Sequence, residues 1–362
     1  MTATVLVDLL FMDGHKGGME IYAENLYTQF GGTVGDPGLR FVGLASSELV
    51  ARGAPWFPGD LVDSGISGAN RRSWARGELL AVEASARRVG ASLIHSPANI
   101  GPWWGRVPVV LTVHDLLPFR LTGMTSKSSR VIRTLVSRSA AHAARIITDS
   151  EASRADIAEF LKLHEAVDVV PLAGGPTVEP SAIPREHGLL LALGNRLPHK
   201  NFDTLLHALA KMPGTTRPRL VITGGGEHDP LRPLIADLGL ESTVELAGWL
   251  TAEEVESLYA RATAVVVPTL FEGFGLPVLE AMSRGCPVVC SDIPVLHEVG
   301  GDAAAYFDPR DVDSVVSAIS AAIGDPARLA ELARLGRERS EQFSWIRTAQ
   351  LTAASFHRAL AG

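Results

Sequence analysis

Short apolar runs alternate with longer amphipathic segments along nearly the whole chain. The runs are rich in Val, Ile and Leu, which is typical of buried strands, whereas the segments between them have helical apolar spacing. Strands are predicted at Thr4–Phe11, Phe41–Leu44, Ser92–Ser96, Val109–Val113, Ile146–Ser150, Val167–Pro171, Leu189–Leu193, Arg219–Thr223, Val244–Ala247, Ala264–Val267 and Ala303–Phe307. Alternation of this kind predicts an α/β fold in which helices cover parallel sheets.

The helical segments carry recognisable start signals. Asn201 is expected to cap a helix whose apolar face is formed by Phe202, Leu205, Leu206 and Leu209. Thr251 and Glu254 have the spacing of a capping box. Other helices are predicted at Gly77–Val89, Ser153–Leu163, Val312–Ile323 and Glu331–Leu360.

Length and composition favour two compact domains. The chain has 362 residues, of which 46% are hydrophobic and 20% charged, enough apolar material for two cores. The segment from Gly174 to Pro184 is rich in Gly and Pro and lacks apolar periodicity, so we interpret it as the linker. The predicted domains are therefore residues 1–175 and a second domain that begins at residue 176.

Charge and cysteine content exclude several classes of protein. The net charge is −7, and since residues 1–175 are neutral overall, the acidic excess lies in the second half. Neither half is basic enough to predict nucleic-acid binding. Cys286 and Cys290 lie four apart along a predicted strand, a poor arrangement for a disulfide or a metal. With no signal-like start and no long apolar run, we expect a cytoplasmic protein.

A glycine loop between a strand and a helix is the strongest functional signal. Gly273 and Gly275 follow the strand at Ala264–Val267 and allow a ligand close to the backbone. The free amides of the helix start suit an anion such as phosphate. Glu272 in the loop and Glu280, expected in the first helical turn, suit pairs of hydroxyl groups. Taken singly, Glu280 is equally compatible with complementing the helix dipole and Glu272 with a solvated loop.

Two cations follow another predicted strand. Arg196 and Lys200 lie in the loop after Leu189–Leu193 and suit a diphosphate leaving group, although either alone is also compatible with a surface cation. Gly17 and Gly18 follow the first strand, where amides can meet phosphate or where a tight turn simply needs glycine.

A histidine lies at the end of the strand Val109–Val113. Open α/β sheets bind their ligands at this edge, so His114 is a candidate substrate-positioning group that Asp115 would orient. A histidine after a strand is more often structural on general grounds.

The segment from Leu116 to Thr148 contains no acidic residue. Its basic residues are Arg120, Lys127, Arg130, Arg133, Arg138 and Arg145, and a second basic cluster with an aromatic comprises Arg71, Arg72, Trp74 and Arg76. The commoner explanation is a solvated helix face. The functional alternatives are an acceptor that carries phosphate and an anionic membrane surface.

The glycine loop also carries a family resemblance. Glu272-Gly-Phe-Gly-Leu-Pro-Val-Leu-Glu280, followed by Gly285-Cys-Pro-Val-Val289, resembles the Glu-x7-Glu signature of retaining glycosyltransferases of the GT-B fold, family 4 (glycosyl transferases group 1). The basic loop, the first glycine turn and the Thr-x-His-Asp segment around His114 resemble the same family. Gly248-Trp249-Leu250 resembles its base-binding turn, although Trp249 is also compatible with a place in the core.

The resemblance implies a GT-B fold, with two Rossmann-like domains facing each other across a cleft. It implies that the second domain ends at residue 340 and that a helix at 341–362 returns to the first domain. Glu272 and His114 would be catalytic. The implied donor-binding residues are Gly17, Gly18, Arg196, Lys200, Trp249, Leu250, Gly273, Phe274, Gly275, Leu276 and Glu280.

The implied reaction is metal-independent sugar transfer with retention. The donor would be a nucleoside diphosphate sugar, either GDP-mannose-like or a UDP-sugar. The acceptor would be a glycan, a lipid-linked molecule or a small molecule. The resemblance allows peripheral contact with a membrane and implies neither a cofactor nor nucleic-acid binding. Two alternatives remain open, a sugar-nucleotide epimerase of the same fold and a non-catalytic sugar-nucleotide-binding protein.

Overall fold

A computed structural model describes residues 2–15, 17–120, 127–175 and 184–362, with only the backbone of Arg71, Lys127 and Ser128. The chain forms two compact units. One comprises Met1–Leu172 together with Trp345–Gly362, and the other is Ala173–Ser344. Most of the predicted linker, residues 176–183, and part of the acid-free segment, residues 121–126, lie outside the described residues.

The first unit is built on a parallel sheet. Within its described residues, seven strands have the order β3-β2-β1-β4-β5-β6-β7. Their bounds are β1 Ala3–Leu9, β2 Leu39–Ala45, β3 Asp60–Asp63, β4 Leu93–Ser96, β5 Val109–Thr112, β6 Arg145–Thr148 and β7 Val167–Val169. The sequence pattern missed β3 because this edge strand has an Asp at each end and only two apolar residues.

Helices connect these strands. They are α1 Gly18–Gly31, α2 Ser47–Arg52, α3 Arg71–Arg88, α4 Leu117–Arg120, α5 Lys127–His142 and α6 Glu151–Asp156, which continues as a π-helical turn at Ile157–Leu161. The side chain of Ser150 caps α6, so this helix begins two residues before its predicted start at Ser153.

The second unit contains a parallel sheet of six strands in its described residues, in the order β10-β9-β8-β11-β12-β13. The strands are β8 Glu186–Ala192, β9 Arg219–Ile222, β10 Val244–Leu246, β11 Ala262–Val267, β12 Val288–Ser291 and β13 Ala304–Phe307. The helices are α7 Phe202–Lys211, α8 Arg232–Asp237, α9 Ala252–Arg261, α10 Leu276–Ser283, α11 Pro294–Gly300, α12 Val312–Gly324 and α13 Pro326–Ser340. Short 3₁₀ helices occur at Pro198–Lys200 and Gly301–Ala303.

The two sheets are covered as the apolar pattern predicts. All six residues of β11 are buried, as expected for a parallel strand covered on both faces. The predicted apolar face of α7, Phe202 to Leu209, is buried against this sheet, and the capping box of Thr251 and Glu254 is present. The predicted α/β class with two Rossmann-like domains is confirmed.

The C-terminal segment differs from the single helix predicted at Glu331–Leu360. It forms α13 and, after a break, α14 Trp345–Ala361. Helix α14 belongs to the first unit, where Thr348 donates to the Pro171 carbonyl at 2.7 Å and Ser355 donates to Asp168 at 2.6 Å. Among the described residues, no helix combines the length and the apolar character needed to cross a membrane.

Candidate active site

The order of strands in the second unit brings two predicted site residues together. The connections leave β8 and β11 in opposite directions, and ligands of open α/β sheets bind at such a switch point. Lys200 lies in the loop after β8 and Glu272 in the loop after β11. Lys200 Nζ donates to Glu272 Oε1 at 2.6 Å, with the side chains only 16% and 12% exposed.

Hydrogen bonds to main-chain carbonyls hold these two loops together. The His199 carbonyl accepts bonds from the Leu270 amide at 2.7 Å and the Thr269 hydroxyl at 3.0 Å. Asn201 Nδ2 donates to the carbonyls of Pro268 and Pro309 at 2.9 and 2.8 Å. Asn201 therefore joins the loops. It is the N-cap residue of α7, as predicted, but its side chain makes no capping hydrogen bond.

Arg196 is held by other groups of the second unit. Its guanidinium forms an ion pair with Asp229 at 2.8 Å and donates to the carbonyls of Gly194 and Thr223 at 2.7 and 2.8 Å and of Ile222 at 3.4 Å. The side chain is 8% exposed. Since protein groups engage most of the fork, Arg196 supports the loop in this structure, and its part in the diphosphate clamp stays a prediction.

The start of α10 has the predicted geometry for an anion. Gly275 is the N-cap with φ +106°, and an added Cβ would lie 2.6 Å from Leu296, so both backbone and packing require glycine there. The amides of Phe274, Gly275 and Leu276 donate to no acceptor among the described residues. The Phe274 side chain is buried against Phe343, and Gly273 leads into this turn beside Glu272. Donor contact at these positions would use the backbone.

Glu280 lies in the second turn of α10, which corrects its predicted place in the first turn. Its Oε2 accepts a hydrogen bond from the Tyr259 hydroxyl at 3.1 Å, and the Arg284 guanidinium lies over the Tyr259 ring. Burial raises the pKa of Glu280 despite the opposing effects of Arg284 and Tyr259. Sequence reasoning missed Tyr259 because it lies 21 residues from Glu280 and no local pattern connects them.

The predicted base-binding turn is exposed. Trp249 is 82% exposed, which excludes the alternative that it belongs to the core. Leu250 is partly buried beside it. The Gly224 amide donates to the Gly248 carbonyl at 3.1 Å and so connects the ends of β9 and β10.

In the first unit, the glycine turn opens α1 as predicted. Gly17 is the N-cap with φ +57°, and Gly18 is the first helical residue. Glu20 closes the turn by accepting hydrogen bonds from the amides of Asp13 and Gly14 at 2.7 and 2.8 Å. The open space around Gly17 leaves room for a ligand beside this turn.

His114 is held by a partner that the sequence analysis did not select. Its Nδ1 lies 2.8 Å from Asp149 Oδ2, whereas Asp115 accepts a hydrogen bond from the Leu117 amide at 2.9 Å. Asp149, not Asp115, therefore orients the ring. Asp149 follows β6, the neighbour of β5, so both residues emerge at the same edge of the sheet. One feature of the sequence could have identified Asp149, because it is an acidic residue at the end of an apolar strand.

The segment from Leu116 to Thr148 contains no acidic residue, but carboxylates from other parts of the chain contact its arginines. Arg120 pairs with Asp156, and Arg145 pairs with Asp168 at 2.7 Å. Other arginines contact aromatic rings, namely Arg133 on Phe119 and Arg138 on Trp103. Carboxylates from other parts of the chain thus pair with two of the six basic residues in this segment. Arg72 and Arg76 remain exposed on α3, whereas the side chains of Arg71 and Lys127 lie outside the described residues.

Two Rossmann-like domains, each with a glycine at the start of a helix beside its parallel sheet, define the class of nucleotide-binding α/β proteins. Residues 177–339 match the family described as Glycosyl transferases group 1, and residues 48–173 match Glycosyltransferase Family 4. The chain belongs to the group 1 glycosyltransferases of family 4, as its motifs predicted.

Relatives and solved structures agree with this assignment. The chain is 33% identical over 254 residues to O-antigen chain mannosyltransferase B of Escherichia coli, covering 65% of this chain and 66% of the relative. It is 31% identical to MMP alpha-(1->4)-mannosyltransferase of Mycolicibacterium hassiacum, covering 72% and 61%. The matches thus span no more than about two thirds of either relative.

Among solved structures, sucrose-phosphate synthase of Thermosynechococcus elongatus has a TM-score of 0.81 at 19% identity, with 99% of each chain covered. HepE of Anabaena, solved with UDP and glucose, has a TM-score of 0.72 at 19% identity, covering 99% of this chain and 100% of HepE. These likenesses support the GT-B fold.

Proposed function

We propose that this chain transfers a sugar from a nucleoside diphosphate sugar to a glycan, lipid-linked or small-molecule acceptor, with retention and without a metal ion. The observation that carries the proposal is the Lys200–Glu272 pair at the switch point, beside the amides that open α10. Because the relatives reported above are named mannosyltransferases, a GDP-mannose-like donor is the first to test and UDP-sugars are the second.

Each group has a proposed part in the reaction. Lys200 and the α10 amides stabilise the negative charge that develops on the departing diphosphate. Glu272 binds hydroxyls of the transferred sugar, and Glu280 binds the ribose hydroxyls. Gly17 and Gly18 offer backbone amides to the donor, and Trp249 with Leu250 forms the base-binding turn.

The test is to incubate the purified chain with a panel of nucleoside diphosphate sugars, with and without candidate acceptors. A transferase forms glycosylated product and releases nucleoside diphosphate in an acceptor-dependent manner. Conversion of the donor sugar without acceptor would indicate the epimerase, and a thermal shift without turnover would indicate a binding protein. Product NMR decides retention, and unchanged rates after chelator treatment would support metal independence.

The acceptor is proposed to be anionic or lipid-linked, with peripheral membrane contact through α3. Arg72 and Arg76 support this idea, since they lie one helical turn apart and are exposed. Co-sedimentation with anionic vesicles should fall with added salt and should weaken in Arg72→Ser/Arg76→Ser. Equal binding to neutral and anionic vesicles would contradict it.

A further inference from the structure

Both ring nitrogens of His114 face acceptors within the first unit. Nδ1 lies 2.8 Å from the Asp149 carboxylate, and Nε2 lies 3.0 Å from the Pro97 carbonyl. A carbonyl oxygen only accepts, so Nε2 must carry a proton, and the carboxylate favours a second proton on Nδ1. The ring therefore has no nitrogen left to accept a proton from a substrate.

The surroundings keep the ring in one position. Asn99 accepts a hydrogen bond from the His114 amide at 2.7 Å, and the His114 carbonyl accepts one from the Ser153 hydroxyl at 3.2 Å. The Tyr22 ring packs edge-on against the imidazole, with centroids 4.7 Å apart. The backbone of His114 is thus held from α6 and the loop after β4, and its ring packs against α1.

The charged and titratable neighbours are Asp149, Asp115, His95 and Tyr22. Burial would lower the pKa of His114, but the charge and hydrogen bond of Asp149, with the Pro97 carbonyl and Asp115, raise it above the ordinary value. Burial raises the pKa of Asp149, whereas the charge and hydrogen bond of His114 lower it, so each group stabilises the charged form of the other. Burial also lowers the pKa of His95 to about 3 and raises that of Tyr22, so both neighbours are neutral near pH 7.

We propose that His114 acts as a fixed imidazolium cation, not as a general base, and that Asp149 is the positioning residue that holds it so. The idea rests on the proposed function, because it specifies what His114 offers the substrate there. A fixed cation favours an anionic group, such as a phosphate, through space. Deprotonation of an acceptor hydroxyl must then be achieved by another group.

The first test follows His114 in the full chain by imidazole nitrogen NMR, with His114→Gln identifying its signals. We expect titration above the ordinary value of about 6.5. Titration at or below that value would overturn the proposal. Because no substrate is needed, this result stands even if sugar transfer is not found, in which case the proposed function fails separately.

The second test compares the pH dependence of kcat in Asp149→Asn and Asp115→Asn. Loss of the Asp149 charge should lower the pKa of His114, so the fall of kcat with rising pH should begin at a lower pH than in the parent. Asp115→Asn, which leaves both ring contacts intact, should stay close to the parent profile. If His114 were a general base, kcat would fall as pH falls. Such a profile in either variant would overturn the proposal. If Asp149→Asn does not fold, the NMR titration decides.

Discussion

Replacing Glu272 by Gln should tighten the binding of free nucleoside diphosphate while transfer nearly stops. Lys200 donates to Glu272 at 2.6 Å, so a diphosphate must compete for this ammonium group. Glu272→Gln keeps a hydrogen-bond acceptor for the ammonium group but removes the carboxylate charge, and the charge pairing adds about 1 kcal/mol. The substitution therefore removes about 1 kcal/mol of competition, or roughly fivefold in Kd.

Calorimetric titration with GDP and UDP measures this effect. Lys200→Ala should weaken binding by about 1.5–3 kcal/mol, and Glu272→Gln should bring little gain in that background. Lys211→Ala is the matched control, since Lys211 is an exposed lysine on α7. Unchanged or weaker binding by Glu272→Gln would refute the competition. Unchanged binding by Lys200→Ala would remove Lys200 from the site.

Two further predictions concern the second unit. Glu280→Gln should raise KM for the donor more than it lowers kcat, because ribose contacts change little during reaction. Tyr259→Phe should do the same more weakly, whereas Tyr306→Phe, which also removes a hydrogen-bonded hydroxyl, should not. A loss of kcat alone would contradict both assignments. Arg196→Ala should destabilise the fold by about 3–5 kcal/mol, because Asp229 is left buried without its charge partner. Denaturant unfolding measures this loss, and an intact stability with weakened diphosphate binding would support the predicted part of Arg196 in the clamp.

The sequence by itself determined the local structure that supports the site. Strand periodicity, the glycine at position 275 and the capping box at Thr251 depend on backbone preferences over a few residues, so they could be read along the chain. The same information selected Lys200 and Glu272, because each follows an apolar strand at the edge where ligands bind. Both sheets were therefore predictable, apart from the short polar edge strand β3.

The tertiary structure decided which charges meet. Strand order brings Lys200 to Glu272 across 72 positions and Asp149 to His114 across 35. It also places Arg196 beside Asp229, so that a cation of the predicted loop forms an ion pair within the protein. Such pairs depend on which strands are neighbours in a sheet, and parallel neighbours are joined through long crossover connections. Periodicity within a segment carries no record of that order, which is why only the folded chain showed these partners.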